Sequence, residues 1–426
     1  KGFSIEDSIK VSMNKDYISA SVIDDREYLL RLLKDGIQQI PIIDENNNLI
    51  DVVGSECDDF IPIYSPYIDK TELSYVNECI KKTWVSSTGP FVNRFEKRFS
   101  EFTGLKDCIS TSNGSTALEL AFSLCNLKPD DEIIAPALTF ASPVNSAIRT
   151  GAKVKLVDVD QNTMCLNLDL IRKFITPKTK VILIVNLYGY PVDIKELRSN
   201  ISSDILIIED CAESLGSYRD NIHCGSYSDF ATFSFFGNKT ITTGEGGMLF
   251  CNKKEDRDRA ISLRDHGMNK DKKYWHEEIG FNFRMTSLQA ALGLGQLDKI
   301  GKILYLKNEI FKTYENIFSK VGLKVIKTNE KNVINSNWLV VLRDNKIAKI
   351  DLDKLQLQLK IYGIDIRKVF YPLPEMSIYK KYSYSNYENC SKIHYSSICL
   401  PSGPLLKISQ MQMLSSKIIS LLNVSP

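Results

Sequence analysis

Short apolar runs separated by helical stretches extend along the chain from about residue 70 to about residue 250. Four of these runs are Glu132–Pro136, Val154–Val157, Val181–Val185 and Ile205–Ile208. The last two are apolar throughout, which is typical of strands that a parallel sheet buries on both faces. The alternation predicts an α/β fold with a mostly parallel sheet, whose ligands bind beyond the carboxyl ends of the strands.

The pattern changes after about residue 300. A strand-like run covers Trp338–Leu342, and helical stretches cover about 351–362 and 406–422. Helices and strands without the earlier alternation predict a smaller α+β domain. We therefore predict a large domain over residues 70–300 and a small C-terminal domain over 301–426.

The first 55 residues follow a pattern of their own. Helical spacing over Asp24–Leu33 precedes a strand-like run at Gln39–Ile43, a polar turn and a second strand at Leu49–Val53. The stretch Gly36–Asp44 resembles part of a CBS module, a unit that usually occurs in pairs and binds adenosine nucleotides. Because one copy is visible, a docking or oligomerising role is favoured over nucleotide binding for residues 1–55. Residues 56–69 are predicted to be a linker.

Charge and cysteine usage narrow the class of partner. The chain has 54 basic and 52 acidic residues, so neither nucleic acid nor a membrane surface is an expected partner. Ten cysteines are scattered without a C-x-x-C pair, which predicts no metal site and reduced thiols in a cytoplasmic protein. No apolar run reaches the length of a membrane span. A small molecule is therefore the expected ligand.

Asp210 and Lys239 carry the candidate chemistry. Asp210 follows the strand-like run at 205–209, so we expect it at the carboxyl edge of the sheet. A carboxylate buried there needs a partner, and a protonated pyridine nitrogen is one that keeps a cofactor ring electron-poor. Lys239 stands between an aromatic stretch and the glycines at 244, 246 and 247. A partly buried lysine is a good nucleophile for Schiff-base formation, and this setting disfavours a solvated hairpin lysine.

A candidate phosphate site precedes the helix predicted to begin near Ser115. The stretch Thr111–Thr116 is rich in small and hydroxyl-bearing residues, and free amides at a helix N-terminus bind anions. Ser234, five residues before Lys239, adds a further hydroxyl. Phe140 follows the strand at 132–136, where an aromatic ring can stack on a flat cofactor.

Together these stretches resemble the sugar aminotransferases of the DegT/DnrJ family, which have the fold-type I architecture of aspartate aminotransferase. The resemblance runs from about residue 62 to the end of the chain. It implies that pyridoxal 5'-phosphate (PLP) is the cofactor, that Lys239 is the catalytic lysine bonded to it, and that Asp210 pairs with the pyridine nitrogen. It also implies that Glu213 lies near the phenolic oxygen of the ring and that Phe140 stacks on the ring. The residues implied to hold the phosphate are Gly114, Ser115, Thr116 and Ser234.

Two further segments extend the resemblance. Gly280–Thr286 is similar to a family segment whose asparagine reaches the phosphate in the neighbouring subunit, which implies a role for Asn282 and a homodimer with shared active sites. A later segment is similar to the substrate-side loop of the family. It retains Arg367, and Pro374 stands where the family usually has histidine. Arg367 and Trp84 are the predicted substrate contacts.

The resemblance implies transfer of an amino group from L-glutamate to a nucleotide-linked keto sugar, giving an amino sugar for a surface glycan. Within the family, the sequence around Lys239 is most similar to that of perosamine-synthase-like enzymes. A GDP-linked 4-keto-6-deoxy sugar is therefore favoured over a UDP-linked one. Two alternatives stay open. One is sugar dehydration on the same scaffold, which retention of Lys239 disfavours. The other is a nucleotide-sensing regulatory protein, which the intact lysine, acid and phosphate set disfavours.

Overall fold

The computed structural model of the chain describes residues 19–21, 24, 26–34, 39–54, 60–166, 168–384 and 386–422. The helices in the described residues are α1 Arg26–Lys34, α2 Lys70–Lys81, α3 Pro90–Thr103, α4 Gly114–Leu124, α5 Ala141–Arg149, α6 Leu168–Phe174, α7 Ile194–Ser199, α8 Lys254–Arg264, α9 Ser287–Asp298, α10 Ile300–Ser319, α11 Leu352–Ile361, α12 Glu388–Tyr395 and α13 Ile408–Leu421.

The strands within the same ranges are β1 Ala20–Ser21, β2 Gln39–Ile43, β3 Leu49–Gly54, β4 Ile109–Thr111, β5 Glu132–Pro136, β6 Lys153–Val157, β7 Thr179–Val185, β8 Leu206–Asp210, β9 Tyr218–Arg219, β10 Ile222–His223, β11 Phe230–Ser234, β12 Gly247–Cys251, β13 Lys324–Val325, β14 Val333–Ile334, β15 Val340–Arg343, β16 Arg367–Lys368 and β17 Ser397–Leu400. Short 3-10 helices cover Leu187–Gly189, Ile347–Lys349, Leu373–Glu375 and Ser377–Tyr382.

The chain divides into two compact units, one of residues 1–62 with 351–366 and the other of residues 63–350 with 367–426. In the first unit, β1 pairs parallel to β2, and β2 pairs antiparallel to β3. Residues 351–366 join this unit because the Ile61 amide donates to Gly363 O at 2.7 Å and Ile61 O accepts from the Asp365 amide at 2.9 Å. The predicted small domain over 301–426 is therefore interrupted by a segment that groups with the N-terminal residues.

The helix, strand, turn and strand predicted near the N-terminus are present as α1, β2, the turn after Ile43 and β3. Asp44 shapes the turn, since its Oδ1 accepts from the amides of Asn46 and Asn48 at 2.9 and 2.8 Å. Residues 36–38 of the CBS-like stretch and residues 56–59 of the predicted linker lie outside the described residues. The CBS resemblance stays a prediction.

In the second unit, the central sheet has seven strands in the order β4-β12-β11-β8-β7-β5-β6. β12 is antiparallel to both of its neighbours, whereas β11, β8, β7, β5 and β6 are parallel. The predicted apolar runs at 132–136, 154–157, 181–185 and 205–208 correspond to β5, β6, β7 and β8. The predicted α/β fold with a mostly parallel sheet is confirmed.

Apolar side chains cover both faces of this sheet, as the unbroken runs predicted. Ile182, Ile184, Ile207 and Ile208 are fully buried. Helix α3 packs against β11 through an edge-to-face contact of Phe99 with Phe233, whose ring centres are 5.0 Å apart. With both faces covered, the carboxyl edge of the parallel strands is where polar side chains can gather.

A smaller antiparallel sheet follows in the order β13-β15-β17-β16. Helices α10 and α13 pack together beside it. Lys307 of α10 is buried, and its Nζ donates to Trp338 O at 2.9 Å and to Ser402 O at 3.3 Å. In the described parts of the chain, no helix is both long and apolar enough to cross a membrane.

Candidate active site

A cavity of about 490 Å³ opens at the carboxyl edge of the large sheet, within the second unit. Several of its walls come from the ends of parallel strands, including Val185 after β7, Asp210 at the end of β8 and Ser234 at the end of β11. The residues from the sequence analysis that line it are Gly114, Ser115, Phe140, Asp210, Glu213, Ser234, Lys239 and Arg367. Strand topology therefore gathers positions that are more than 250 residues apart along the chain.

Asp210 is the last residue of β8 and is 5% exposed. Its Oδ1 accepts from the Ala212 amide at 2.9 Å, and no described cation forms an ion pair with it. Burial raises the pKa of the Asp210 carboxyl to about 6, and the hydrogen bond from Ala212 and the charge of Lys239 oppose this rise. Such a carboxyl favours a cationic partner in the cavity.

Glu213 and Lys239 are neighbours in the lining of the cavity. Lys239 Nζ lies 3.7 Å from Glu213 Oε1, and Glu213 Oε2 accepts from the Tyr188 amide at 2.8 Å. Burial raises the pKa of Glu213 to about 7, although the Lys239 charge lowers it. Lys239 follows β11 in a turn closed by its own amide, which donates to Phe236 O at 2.9 Å. The turn places the amine inside the cavity and away from bulk solvent.

The N-terminus of α4 also lines the cavity. Asn113 caps this helix, because its side chain accepts from the Thr116 amide at 2.9 Å. The amides of Gly114 and Ser115 have no acceptor among the described residues, so they are available to an anion. A Cβ on Gly114 would lie 2.7 Å from the Ser234 Cβ, so glycine permits this close approach of helix and strand.

A sequence profile of the DegT/DnrJ/EryC1/StrS aminotransferase family matches residues 66–418. The chain belongs to this family.

Relatives and solved structures agree with that assignment. GDP-perosamine synthase of Escherichia coli O157:H7 is 37% identical over 354 residues, which cover 83% of this chain and 96% of that protein. GDP-perosamine synthase of Caulobacter vibrioides is 38% identical over 324 residues, which cover 75% of this chain and 86% of that protein. The PLP form of Spr1654 from Streptococcus pneumoniae superposes with a TM-score of 0.76 at 26% identity, over 84% of this chain and all of that one. The protein is thus a PLP-dependent aminotransferase.

The cavity fits this cofactor. Asp210 offers a buried carboxyl without a cation partner, as a protonated pyridine nitrogen requires. The amides of Gly114 and Ser115 and the hydroxyl of Ser234 can hold the phosphate at the helix N-terminus. Bound there, the cofactor supplies the electron sink and the carbon that carries the transferred amino group.

Three predicted contacts of this aminotransferase lie away from the cavity lining. Thr116 takes part in the helix cap, since its hydroxyl donates to Asn113 O at 2.8 Å. Asn282 is exposed, and its Oδ1 accepts from Arg284 Nε at 3.2 Å. Trp84 is 39% exposed and packs over Gly89. Their roles in binding stay predictions.

The structure adds an aromatic wall that sequence reasoning missed. Tyr188 stacks between Trp338 and Phe370, with ring centres 5.9 and 5.8 Å away and ring planes inclined by 14° in both cases. Phe370 in turn lies 5.9 Å from Phe140. The one available signal was Trp338 at the start of a strand-like run, and that run is typical of core as well. Pocket walls of this kind are apolar, so periodicity alone does not separate them from core.

One buried group in the described residues has the composition of a metal site: Glu209, Cys211 and Cys224. The Asn186 side-chain amide contacts two of these three residues. Asn186 Nδ2 donates to Glu209 Oε1 at 2.7 Å and lies 3.6 Å from Cys211 Sγ. These contacts tie Glu209 and Cys211 into a hydrogen-bond network next to Asp210, whereas Glu209 Oε2 has no hydrogen-bond partner among the described residues. The expected lack of a metal stays a prediction.

Proposed function

We propose that this aminotransferase moves the amino group of L-glutamate onto a nucleotide-linked keto sugar, with a GDP-linked 4-keto-6-deoxy sugar favoured over a UDP-linked one. The observation that carries the proposal is the Lys239 amine, held inside a cavity that also contains the Asp210 carboxyl and an anion-binding helix end. The names of the two bacterial relatives support the choice of nucleotide.

The residues divide the work in a simple way. Lys239 Nζ takes the proton from the α carbon of L-glutamate and later returns a proton to the sugar carbon that receives the amino group. Asp210 holds a positive charge at the pyridine nitrogen throughout. Gly114, Ser115 and Ser234 anchor the phosphate, which fixes the reacting carbon relative to Lys239.

Two cationic side chains of one strand line the cavity. They are Arg367 and Lys368 of β16. A guanidinium and an ammonium on one strand suit the diphosphate of a nucleotide sugar or the carboxylates of glutamate. This charge supports an anionic substrate without choosing between guanine and uracil.

We also propose that two copies share their active sites, with Asn282 contributing to the site of the partner copy. The exposed side chain of Asn282 and its position outside the lining of its own cavity support this arrangement. Sedimentation velocity tests the dimer. Mixing the separately inactive variants Lys239→Ala and Asn282→Asp tests the sharing, because mixed dimers regain activity only when sites use residues of both copies.

The reaction is tested with the purified full chain loaded with PLP. L-glutamate is expected to bleach the visible absorption band, and GDP-4-keto-6-deoxymannose is then expected to restore it and yield an amino sugar detectable by mass spectrometry. Restoration by UDP-linked keto sugars alone would reverse the choice of nucleotide. A product that has lost water without gaining nitrogen would establish dehydration instead.

The N-terminal segment has a separate test. Isothermal titration of the full chain with AMP and ATP distinguishes the favoured docking role, which predicts no heat of binding, from nucleotide sensing. A cytoplasmic location and use of the product in a surface glycan stay predictions.

A further inference from the structure

The Lys239 amine rests in a pocket of side chains that we call the lysine cradle, formed by Glu213, Trp338 and Tyr188. Lys239 Nζ lies 4.0 Å from the centre of the Trp338 ring and 3.7 Å from Glu213 Oε1. The second distance exceeds that of an ordinary hydrogen bond. The amine is therefore held by a ring face and a nearby charge, and no short hydrogen bond locks it.

Each member of the cradle is fixed by contacts of its own. Trp338 is 4% exposed, and its Nε1 donates to Asn238 O at 2.7 Å, next to Lys239 in the chain. Tyr188 stacks on Trp338, and its amide binds the second oxygen of Glu213. Tyr188 has a φ of 51°, a left-handed conformation that is uncommon outside glycine. Such a conformation is maintained where surrounding contacts require it.

A transaminase lysine needs such a resting place. Whenever Lys239 is not bonded to the cofactor, its free amine would have to take a proton from one carbon and deliver it to another. Its four-carbon stem loses rotamer freedom when it is ordered, and any disorder in its position lowers the rate.

We propose that Trp338 is a positioning residue that, together with Glu213, holds the detached Lys239 amine in reach of the reacting carbon. The inference rests on the proposed role of Lys239 as the lysine bonded to the cofactor. A ring face attracts the ammonium that forms once Lys239 has taken a proton, and it does not compete for that proton. A short ion pair with Glu213 in its place would trap the amine and slow its return.

The first test follows single turnovers of the PLP-loaded full chain with L-glutamate. Trp338→Leu is expected to slow bleaching of the visible band on the order of tenfold, since a desolvated cation–π contact is lost. The glutamate concentration that gives half the maximal rate is expected to stay within about twofold, because Trp338 acts through Lys239 and not on glutamate. Trp338→Phe keeps a ring but lacks the N–H donor. Its bleaching rate is expected to lie between those of wild type and Trp338→Leu. Tyr305→Leu on α10, 62% exposed and outside the cavity lining, is the matched control.

A second test needs neither cofactor nor turnover. Acetic anhydride acylates lysines of the apo protein, and mass spectrometry compares Lys239 with Lys97, whose side chain is 78% exposed. Trp338→Leu is expected to speed acylation of Lys239 several-fold relative to Lys97, because the ring no longer covers the amine. Acylation of buried Lys307 is expected to stay slow, which separates a lost contact from a loosened fold.

The outcomes are distinct. Unchanged bleaching and unchanged acylation in Trp338→Leu would overturn the inference, as would a change confined to the glutamate dependence. If acylation of Lys307 rises as much as that of Lys239, the slower turnover reflects loosening and the inference also fails. If Trp338→Leu does not fold, Trp338→Phe decides by the same criteria. A wild type that stays colourless with PLP would instead refute the proposed function.

Discussion

Lys239 and Lys307 are two lysines withdrawn from water in the same unit of the chain, and their surroundings differ in one essential respect. Lys239 is 15% exposed by its side chain, faces a cavity and lies 3.7 Å from a carboxylate. Lys307 is 1% exposed, donates to two backbone carbonyls and forms no ion pair with a described carboxylate. We therefore expect reactivity at Lys239, which has a cavity for its partner and acids nearby, and not at Lys307, which is only buried.

The pKa values of the surrounding groups sharpen the contrast. Burial lowers the pKa of Lys307 from its usual 10.5 to about 7, and Lys307 does not line the active-site cavity. Around Lys239, burial instead raises the pKa of Glu213 to about 7 and that of Asp210 to about 6. Lys307 connects α10 to the backbone at Trp338 and Ser402. Lys239 lies beside two carboxyls, Glu213 and Asp210, whose pKa values burial raises toward neutrality.

The largest expected effect is that of Lys239→Ala. Removing the amine removes both the bond to the cofactor and the proton carrier, so the visible band shifts and transamination falls on the order of ten-thousandfold. Lys307→Met is the matched control and is expected to retain the band. Absorption spectra and single-turnover rates measure both variants. A colourless Lys307→Met with a coloured Lys239→Ala would exchange the roles of the two lysines.

Lys307→Met should change the pH dependence of folding. Between about pH 7 and pH 10.5 the folded wild type binds fewer protons at Lys307 than the unfolded chain, so its stability rises with pH across that window. The variant is expected to lose this rise, about 4 kcal/mol in the free energy of unfolding. Urea titrations at pH 6.5 and 10 measure the difference. If the stability of wild type and variant changes with pH in parallel, burial does not lower the pKa of Lys307.

Glu213→Gln should remove a slope of the opposite sign. Because the pKa of Glu213 is higher in the folded apo protein, its contribution to stability is complete below about pH 4.5 and is lost as the pH rises through about 7. The amide variant is expected to lack this decline, about 3 kcal/mol. Urea titrations of the apo protein between pH 4.5 and 8 measure it. If the stability of Glu213→Gln declines with pH as that of wild type does, the other buried carboxyls cause the decline.

Asp210→Asn has the smallest expected effect of the four. An amide cannot balance a protonated pyridine nitrogen, so the rate of bleaching by L-glutamate should fall on the order of a hundredfold while the bond to Lys239 still forms. Stopped-flow absorbance measures the rate. A rate within threefold of wild type would remove Asp210 from the proposed mechanism.

Much of the fold and part of the site were predictable from local pattern. The runs that became β7 and β8 are apolar on both faces, and this pattern is specific to central strands of a parallel sheet. Asp210 follows directly from the end of such a run, because strand ends meet at one edge. Lys239 stood out by its neighbours in sequence.

Other placements depended on contacts between distant segments. Trp338 reaches the Lys239 turn across 100 residues, and nothing in its own neighbourhood predicts that contact. Thr116 was assigned to the phosphate because it lies in a hydroxyl-rich stretch. The same composition is typical of a helix cap, and in the structure Thr116 takes part in the cap. The grouping of residues 351–366 with the N-terminal unit likewise rests on backbone pairing of Ile61 with Ile364, which periodicity does not encode.

The sequence by itself determined the local features that carry the candidate chemistry. These are an acid at a strand end, a lysine in a glycine-flanked turn and small residues before a helix. These features are local, since backbone geometry and burial pattern act over a few residues. Only the tertiary structure decided which aromatic ring faces the lysine, which lysine is enclosed without an acid, and which hydroxyl is used in a cap. Those outcomes depend on packing between segments that are distant in sequence, where the cost of leaving a polar group unpaired selects its partner.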